Sequence, residues 1–201
     1  MLLITSVIKG VRMPAKKQIE KQKIVAAAVK IVRARGMEGL NVRDVAKECK
    51  CSTQPIYHAF DNIEQLKKAV DGEITDIWSD FLQKEIDKKQ YPEYKAFGMG
   101  YIRFAKEETE LFKYMFMRDR TDKTDFPQYG LDEATRMIMN NYGLHKDDSV
   151  KLHVEMWAFV HGIATMFATG YLNWEWQTVS DMVTEAFLGF SGRIKGENNG
   201  N

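Results

Sequence analysis

The sequence is poor in residues that cross-link folds or interrupt helices, with only 2 Cys and 4 Pro among 201 residues. Cys49 and Cys51 stand one residue apart, so a disulfide between them would not staple the fold. They also lack the further ligands, at suitable spacing, that a metal site needs. We therefore expect two small buried thiols, no metal and no cofactor.

Long apolar runs are also missing from the sequence. None approaches the ~18 residues that a membrane-spanning helix needs, so we expect no membrane partner and a cytoplasmic protein. The apolar start, residues 1–8, has neither the basic region nor the small-residue cleavage site of a signal peptide. Met13 is a second candidate for the translation start. Residues 1–15 are therefore interpreted as a disordered arm or an upstream extension.

The net charge is small, at +1, but the charges are divided unevenly along the chain. Residues 1–60 hold 12 Lys and Arg against 4 Asp and Glu, which leaves the remainder acidic. A basic head on an acidic body is typical of a polyanion-binding module joined to one that binds no polyanion. A basic tail without any partner would give the same excess, so the count alone does not decide between them.

The basic part of the chain has the pattern of three helices. Apolar residues recur at intervals of three and four before Gly36, which is a typical stop after a helix. Asn41 stands where an N-cap belongs, and Ser52 is a candidate for the next one. Pro55 would then fall in the first turn of the third helix, where its missing N–H costs little. We expect these helices at residues 16–35, 42–49 and 53–60.

The acidic remainder also predicts helices, which gives an all-α fold of about nine helices. A fourth helix, residues 62–88 with Asp61 or Asn62 as its cap, is longer than usual and favours a connector between two domains. Residues 119–129 resemble a loop, and the polar residues 193–201 predict a disordered tail. The other helices are expected at residues 92–106, 107–118, 130–142, 148–171 and 175–192.

Two short helices joined by a tight turn, after one longer helix, form a helix-turn-helix unit that places its last helix in the DNA major groove. The stretch from Ile24 to Leu66 resembles the DNA-binding domain of TetR-type transcriptional repressors. The residues that carry this resemblance are Gly39-Leu40-Asn41-Val42, Val45-Ala46, Cys51-Ser52 and Ile56-Tyr57-His58-Ala59-Phe60. The domain is expected at residues 16–61.

The sequence departs from the family pattern at two places. Lys50 occupies a turn position that is usually glycine, and it would need a positive φ angle there. Ile63 and Glu64 occupy the start of the fourth helix, where the family often has a phosphate-binding lysine. We expect Lys67 to compensate for that missing contact.

Side-chain chemistry assigns roles on the expected DNA-binding surface. Thr53, Gln54 and His58 should project into the groove, where Gln pairs with adenine and Thr contacts a thymine methyl group. The remaining candidates suit phosphates, which position the protein but do not specify sequence. These candidates are Lys16, Lys17, Asn41, Arg43, Ser52, Tyr57 and Lys67.

The resemblance continues more loosely through residues 62–192. The segments Tyr101-x-x-Phe104-Ala105 and Leu111-Phe112-x-x-Met115-Phe116 are similar to the middle helices of the family, and Trp157-Ala158-x-x-His161-Gly162 is similar to one of its C-terminal domains. The resemblance implies a ligand-binding and dimerisation domain. An apolar or aromatic effector would contact Met99, Phe104, Tyr114, Met117, Trp157 and His161. The alternative for each is an ordinary core residue, because aromatic stripes at helical spacing are more often buried in the core. The last two helices would form the homodimer interface, for which the candidate residues, as interface or core, are Phe159, Ile163, Phe167, Val183, Phe187 and Phe190.

The function implied is a ligand-responsive regulator that binds a near-palindromic double-stranded operator as a dimer and represses by occlusion. Effector binding would move the fourth helix as a lever and release the operator. A helical protein-interaction module with degenerate DNA binding is the alternative. An enzyme is not expected, because the sequence has no Ser-His-Asp order, phosphate loop or metal-binding helix.

Overall fold

The computed structural model describes residues 20–119 and 130–199, with side chains through Gly196. These residues form nine α-helices and a short 3-10 turn at Met37–Gly39, and they contain no strand, which confirms the all-α fold class. The arm at residues 1–15, Lys16, Lys17 and nearly all of the expected 119–129 loop lie outside the described residues. The helices are α1 Lys21–Arg35, α2 Val42–Glu48, α3 Gln54–Ala59, α4 Ile63–Asp87, α5 Glu93–Glu107, α6 Thr109–Phe116, α7 Leu131–Tyr142, α8 Lys146–Ala168 and α9 Trp176–Asn199.

The helices α1 to α3 form the head of the molecule. The expected residues end α1, at Gly36, and cap α2, at Asn41, but the expected residue does not cap α3. The Asn41 side chain accepts a hydrogen bond of 3.0 Å from the backbone N–H of Asp44, as an N-cap does. The prediction of Ser52 as the next N-cap is wrong, because Thr53 holds that position without a side-chain bond. The backbone carbonyl of Thr53 accepts from the N–H groups of Ile56 and Tyr57, at 3.1 and 3.2 Å. Since Pro55 has no N–H, these are the first bonds of α3.

The turn between α2 and α3 is a Schellman motif with Lys50 in the left-handed region. Lys50 has φ of 54°, as its place in the sequence predicts. Its N–H donates to the carbonyl of Lys47 at 3.0 Å, and the N–H of Cys51 donates to the carbonyl of Ala46 at 2.9 Å. These two bonds satisfy the last carbonyls of α2 and fix the entry into α3. The motif therefore sets the angle between the two short helices while imposing strain on a residue with a Cβ.

Replacing Lys50 with glycine is expected to raise the free energy of unfolding by up to about 1 kcal/mol. Glycine removes the cost of a left-handed side-chain-bearing residue, and its larger entropy in the unfolded chain offsets part of that gain. Urea unfolding followed by circular dichroism measures the change. Lys47→Gly is the matched control, because Lys47 is exposed and helical, and it should lose about 0.5–1 kcal/mol. A loss of stability in Lys50→Gly would contradict the strain.

The long helix α4 joins the head to the rest of the chain. Asn62 caps it, since its side chain accepts a bond of 2.9 Å from the N–H of Gln65. One stripe of α4 is buried along its whole length, at helical intervals, and packs on α1 at one end and on α5 at the other. The stripe consists of Leu66, Val70, Ile74, Trp78 and Leu82.

The helices α5 to α9 form the body, built around α5 and α8. The helix is interrupted at Glu108, which ends α5 and begins α6, close to the predicted bend at Glu107. The prediction of disorder from residue 193 is wrong for residues 193–199, because α9 continues to Asn199. Ile194 is buried there, and the Arg193 guanidinium pairs with the Glu155 carboxylate of α8 at 2.5 Å. These contacts outweigh the helix-weakening glycines at the end of α9. Among the described helices, none has a stretch both long and apolar enough to cross a bilayer.

Candidate DNA-binding surface and ligand cavity

One exposed face of α3 carries the residues predicted to read DNA. Gln54, Tyr57 and His58 stand at helical intervals of three and four and are exposed, while Ile56 is buried in the core. Tyr57 leaves 56% of its surface in solvent. Ser52 is exposed at the start of the same face, and Thr53 is half-buried beside it. The structure therefore brings these predicted residues together at one surface.

The Asn41 side chain serves the head rather than presenting a free amide. Its Nδ2 donates to the Asp44 carboxylate at 2.8 Å, and its Oδ1 accepts from the Asp44 N–H. The hydrogen bond from Asn41 and the one from Arg35 lower the pKa of Asp44. The backbone N–H groups at this end of α2 and the exposed Arg43 are therefore better placed for a phosphate than the Asn41 side chain.

Lys67, predicted to bind a phosphate, is held by a neighbour on its own helix. Its Nζ lies 2.9 Å from a carboxylate oxygen of Glu64, one turn earlier in α4. An exposed pair of this kind is weak and exchanges readily for a phosphate. Lys68 follows it and is exposed.

An apolar cavity of about 120 Å³ lies in the body between α5, α8 and α9, with Tyr142 of α7 on its wall. The wall is mainly aromatic, with Met156, Val160 and Val183 completing it. Gly98 of α5 is part of the wall, and a Cβ there would lie 3.7 Å from Val160, which is ordinary contact. The aromatic residues of the wall are Tyr94, Phe97, Tyr101, Tyr142, Trp157 and Phe187.

Two histidines of α8 are bonded to tyrosines of α5 at this cavity. His153 Nδ1 lies 3.1 Å from the Tyr94 hydroxyl, and His161 Nδ1 lies 2.8 Å from the Tyr101 hydroxyl. Burial lowers the pKa of His153 to about 4 and lowers the pKa of His161. His153 is therefore neutral at neutral pH and adds no charge to the wall.

Of the six residues predicted to bind a ligand, only Trp157 lines the cavity. The His161 ring stacks on Trp157 at 5.0 Å, just behind the wall. Met99 and Phe104 are buried in the core, and the Tyr114 hydroxyl donates to Asp71 of α4 at 2.8 Å. Met117 is exposed beyond the end of α6.

The cavity residues that sequence reasoning missed on α5 and α8 are Tyr94, Lys95, Phe97 and His153, while Phe187 of α9 was assigned to the dimer interface instead. Choosing the correct face requires knowing how α5 is rotated against α8. Only Tyr94 and Phe97 had an advance signal in the sequence, through their aromatic character.

The predicted dimer residues divide between the core and the surface. Ile163, Phe167 and Val183 are buried within one protomer, so placing them at an interface is corrected to the core. Phe187 lines the cavity, while Phe159 and Phe190 are half-buried. The outward face of α8 and α9 instead carries Val154, Ala158, Gly162, Leu188, Gly189 and Gly192, with Leu188 63% exposed.

The head is tied to the body by a two-pronged ion pair. Arg33 of α1 donates from Nε and Nη2 to the two carboxylate oxygens of Glu108, at 2.8 and 3.0 Å. Glu108 stands at the break between α5 and α6, so the pair connects the head to the point where the body changes direction. The planar fork of arginine makes such a pair geometrically specific.

A double-mutant cycle of Arg33→Ala and Glu108→Ala is expected to give a coupling energy of about 0.5–1 kcal/mol. We expect a small coupling energy because the Arg33 side chain is 41% exposed and solvent screens the pair. Chemical unfolding of the four proteins measures it. The Lys30–Glu48 pair is the control, because it is more exposed and single-pronged, and its cycle should give a smaller value. Equal coupling in the two cycles would contradict a special role for Arg33.

Comparison with known families and structures agrees with this architecture. The family model of bacterial regulatory proteins of the tetR family matches residues 24–70. The model of the tetracyclin repressor-like C-terminal domain matches residues 94–188. No curated protein sequence gives a significant match.

Solved structures with the same fold are distant in sequence. A TetR family protein from Vibrio parahaemolyticus is 14% identical, with a TM-score of 0.60 over 83% of this chain and 95% of that one. A protein from Rhodococcus sp. RHA1 is 20% identical, with a TM-score of 0.64 over 88% and 93% of the two chains. The multidrug binding protein EbrR, in complex with malachite green, is 12% identical, with a TM-score of 0.58 over 83% and 96%. At these identities the structures establish the fold alone.

The family follows from the two sequence models, which match the head and most of the body in the right order. TetR family proteins are ligand-responsive, DNA-binding transcription regulators rather than enzymes, which agrees with the exposed face of α3 and the apolar cavity. The chain therefore belongs to the TetR family of transcriptional regulators.

Proposed function

We propose that the protein is a repressor that binds a near-palindromic operator as a homodimer and is released by a small apolar or aromatic effector. The observation that carries this proposal is the exposed face of α3, where Gln54, Tyr57 and His58 are accessible to the bases and phosphates of a major groove. Gln54 suits an adenine edge, and Tyr57 suits a phosphate. The basic composition of residues 1–60 supplies the electrostatic attraction to DNA.

The dimer is proposed to form through the outward face of α8 and α9. A Cβ at Gly162, Gly189 or Gly192 would meet nothing within 4 Å, so this face is open in one protomer. Small residues allow two helix pairs to approach closely, and Leu188 provides apolar area to bury. A twofold axis here gives two copies of α3, which need half-sites about one DNA turn apart.

Release is proposed to pass from the cavity to α4 through two aromatic rings. Tyr101 lines the cavity, and its ring meets the Trp78 ring of α4 edge to face at 5.5 Å. An effector that displaces Tyr101 therefore pushes on the buried stripe of α4. Since α4 packs on α1 as well, its movement changes the separation of the two heads. A coupling of about 1–3 kcal/mol is enough for a useful switch.

The test is binding to DNA from the region upstream of the protein's own gene, measured across a salt series. We expect sequence-dependent binding, a steep fall of affinity with salt and a footprint with twofold symmetry. Sedimentation of the complex gives the number of protomers bound. Weak binding that is indifferent to sequence, both at this region and across a library of genomic fragments, would exclude the proposal. It would favour a protein-interaction module instead.

A further inference from the structure

The charge of the cavity wall limits what the cavity accepts. Among the described residues that line it, Lys95 is the one with an ionised side chain at neutral pH, since burial keeps His153 neutral. No aspartate or glutamate appears among these lining residues. An apolar wall without a carboxylate disfavours a cationic ligand, because nothing there compensates the loss of its hydration.

Lys95 is placed to accept an anion at the edge of the aromatic wall. Its Nζ donates to the Thr184 hydroxyl at 2.7 Å and lies over the Tyr91 ring at 4.8 Å. An ammonium has three N–H donors. The bond to Thr184 is a hydrogen bond and uses one of them, whereas the contact with the Tyr91 ring is a cation–π contact. Among the ion pairs formed by the described residues, none includes Lys95.

The nearby carboxylate does not fill this role. Asp181, one turn before Thr184 in α9, accepts a bond of 2.9 Å from Gln177 on the exposed side of the helix. Burial lowers the pKa of Lys95, and the charge of Asp181 offsets part of that lowering. The ammonium is therefore partly desolvated, and Asp181 acts on it without forming an ion pair with it.

The size of the cavity suits a ligand whose apolar part is one ring. Its volume is about 120 Å³. An apolar protein cavity of about 150 Å³ is known to hold one benzene molecule. Gly98 contributes to this space, because the wall of α5 has no side chain at that point. Tyr101 and Trp157 are two of the aromatic residues that a ring in this space would contact.

We infer that the effector is a single-ring aromatic carboxylate, with its ring in the cavity and its carboxylate on Lys95 Nζ and the Thr184 hydroxyl. This inference rests on the proposed function, because it names the chemical class that would release the operator. It assigns the aromatic wall to affinity and Lys95 to the choice between acids, alcohols and amines.

The inference is tested by calorimetric titration of the full-length protein, without DNA, with benzoate, benzyl alcohol and benzylamine. The three probes share one ring and differ in charge. We expect benzoate to bind at least roughly tenfold more tightly than either of the others, as one charge-assisted hydrogen bond would give. Lys95→Met should lower the affinity for benzoate to about that for benzyl alcohol. Lys95→Arg should retain most of the preference.

A second variant tests the ring site independently of the charge. Gly98→Leu places a side chain in the cavity and should abolish binding of benzoate and benzyl alcohol alike, while Gly98→Ala should keep both. Thermal unfolding checks that each variant is folded. Preference for benzylamine, equal affinity for acid and alcohol, unchanged benzoate binding in Lys95→Met, or no binding of any probe at millimolar concentration would each overturn the inference. Operator binding is measured separately, so its failure identifies a failure of the proposed function instead.

Discussion

Replacing Gln54 with alanine is expected to weaken binding to the specific operator about 10- to 100-fold and to relax the base preference at one position in each half-site. The reason is the loss of a bidentate contact to one base, for which about 1–3 kcal/mol is typical. Binding to unrelated DNA should change little, because phosphate contacts supply most of it. Competition binding with operators altered one base pair at a time measures both effects.

The matched control for this result is Gln83→Ala. Gln83 is an exposed glutamine of α4 far along the helix from the head, bonded to Asp87 at 2.8 Å. The same change of side chain there should leave operator affinity unaltered. A uniform loss at every altered base pair in Gln54→Ala would contradict base recognition and point to a general effect on the head.

Replacing Phe104 with alanine is expected to lower the free energy of unfolding by about 3–5 kcal/mol, the usual cost of deleting a buried aromatic ring. Phe104 is fully buried, with its ring edge to face against Trp78 at 4.9 Å and Phe81 at 5.3 Å. Denaturant unfolding measures the loss. Tyr171→Ala is the control, because Tyr171 is 77% exposed, and it should change stability by less than about 0.5 kcal/mol.

The same residue separates a core role from the ligand role that its aromatic character suggested. Phe104→Leu keeps most of the buried volume and should bind benzoate as the unaltered protein does, because Phe104 lies outside the cavity wall. A folded Phe104→Leu that loses the ligand would support the sequence-based assignment instead.

Local signals in the sequence were sufficient for most of the helices and for the caps at Asn41 and Asn62, but not for the start of α3 or the end of α9. Asn41 and Asn62 are N-caps because a short polar side chain directly before a helix can accept a bond from a free backbone N–H of its first turn. Lys50 adopts a positive φ because the turn after α2 requires it. The break near Glu107 and the length of α4 follow from periodicity in the same way. Such features depend on residues within one or two turns of each other.

The cavity and the protomer surface were less predictable, because both depend on how helices rotate against each other. α8 is apolar on more than one side, so its sequence did not show that Ile163 faces the core while a Cβ at its neighbour Gly162 would meet open space. On α5, Met99 lies in the core, while Lys95, one turn earlier, lines the cavity. A pattern of residue types contains no information that separates these outcomes.

The buried stripe of α4 also determines how the protein loses its structure. It belongs to one apolar core that runs without interruption from Ile24 in α1 to Ile194 in α9. A head cut away after residue 61 would expose the faces of α1 that α4 and α6 now cover. Head and body should therefore melt in one cooperative transition, and the backbone amides in the middle of α4 should be among the last to exchange with heavy water.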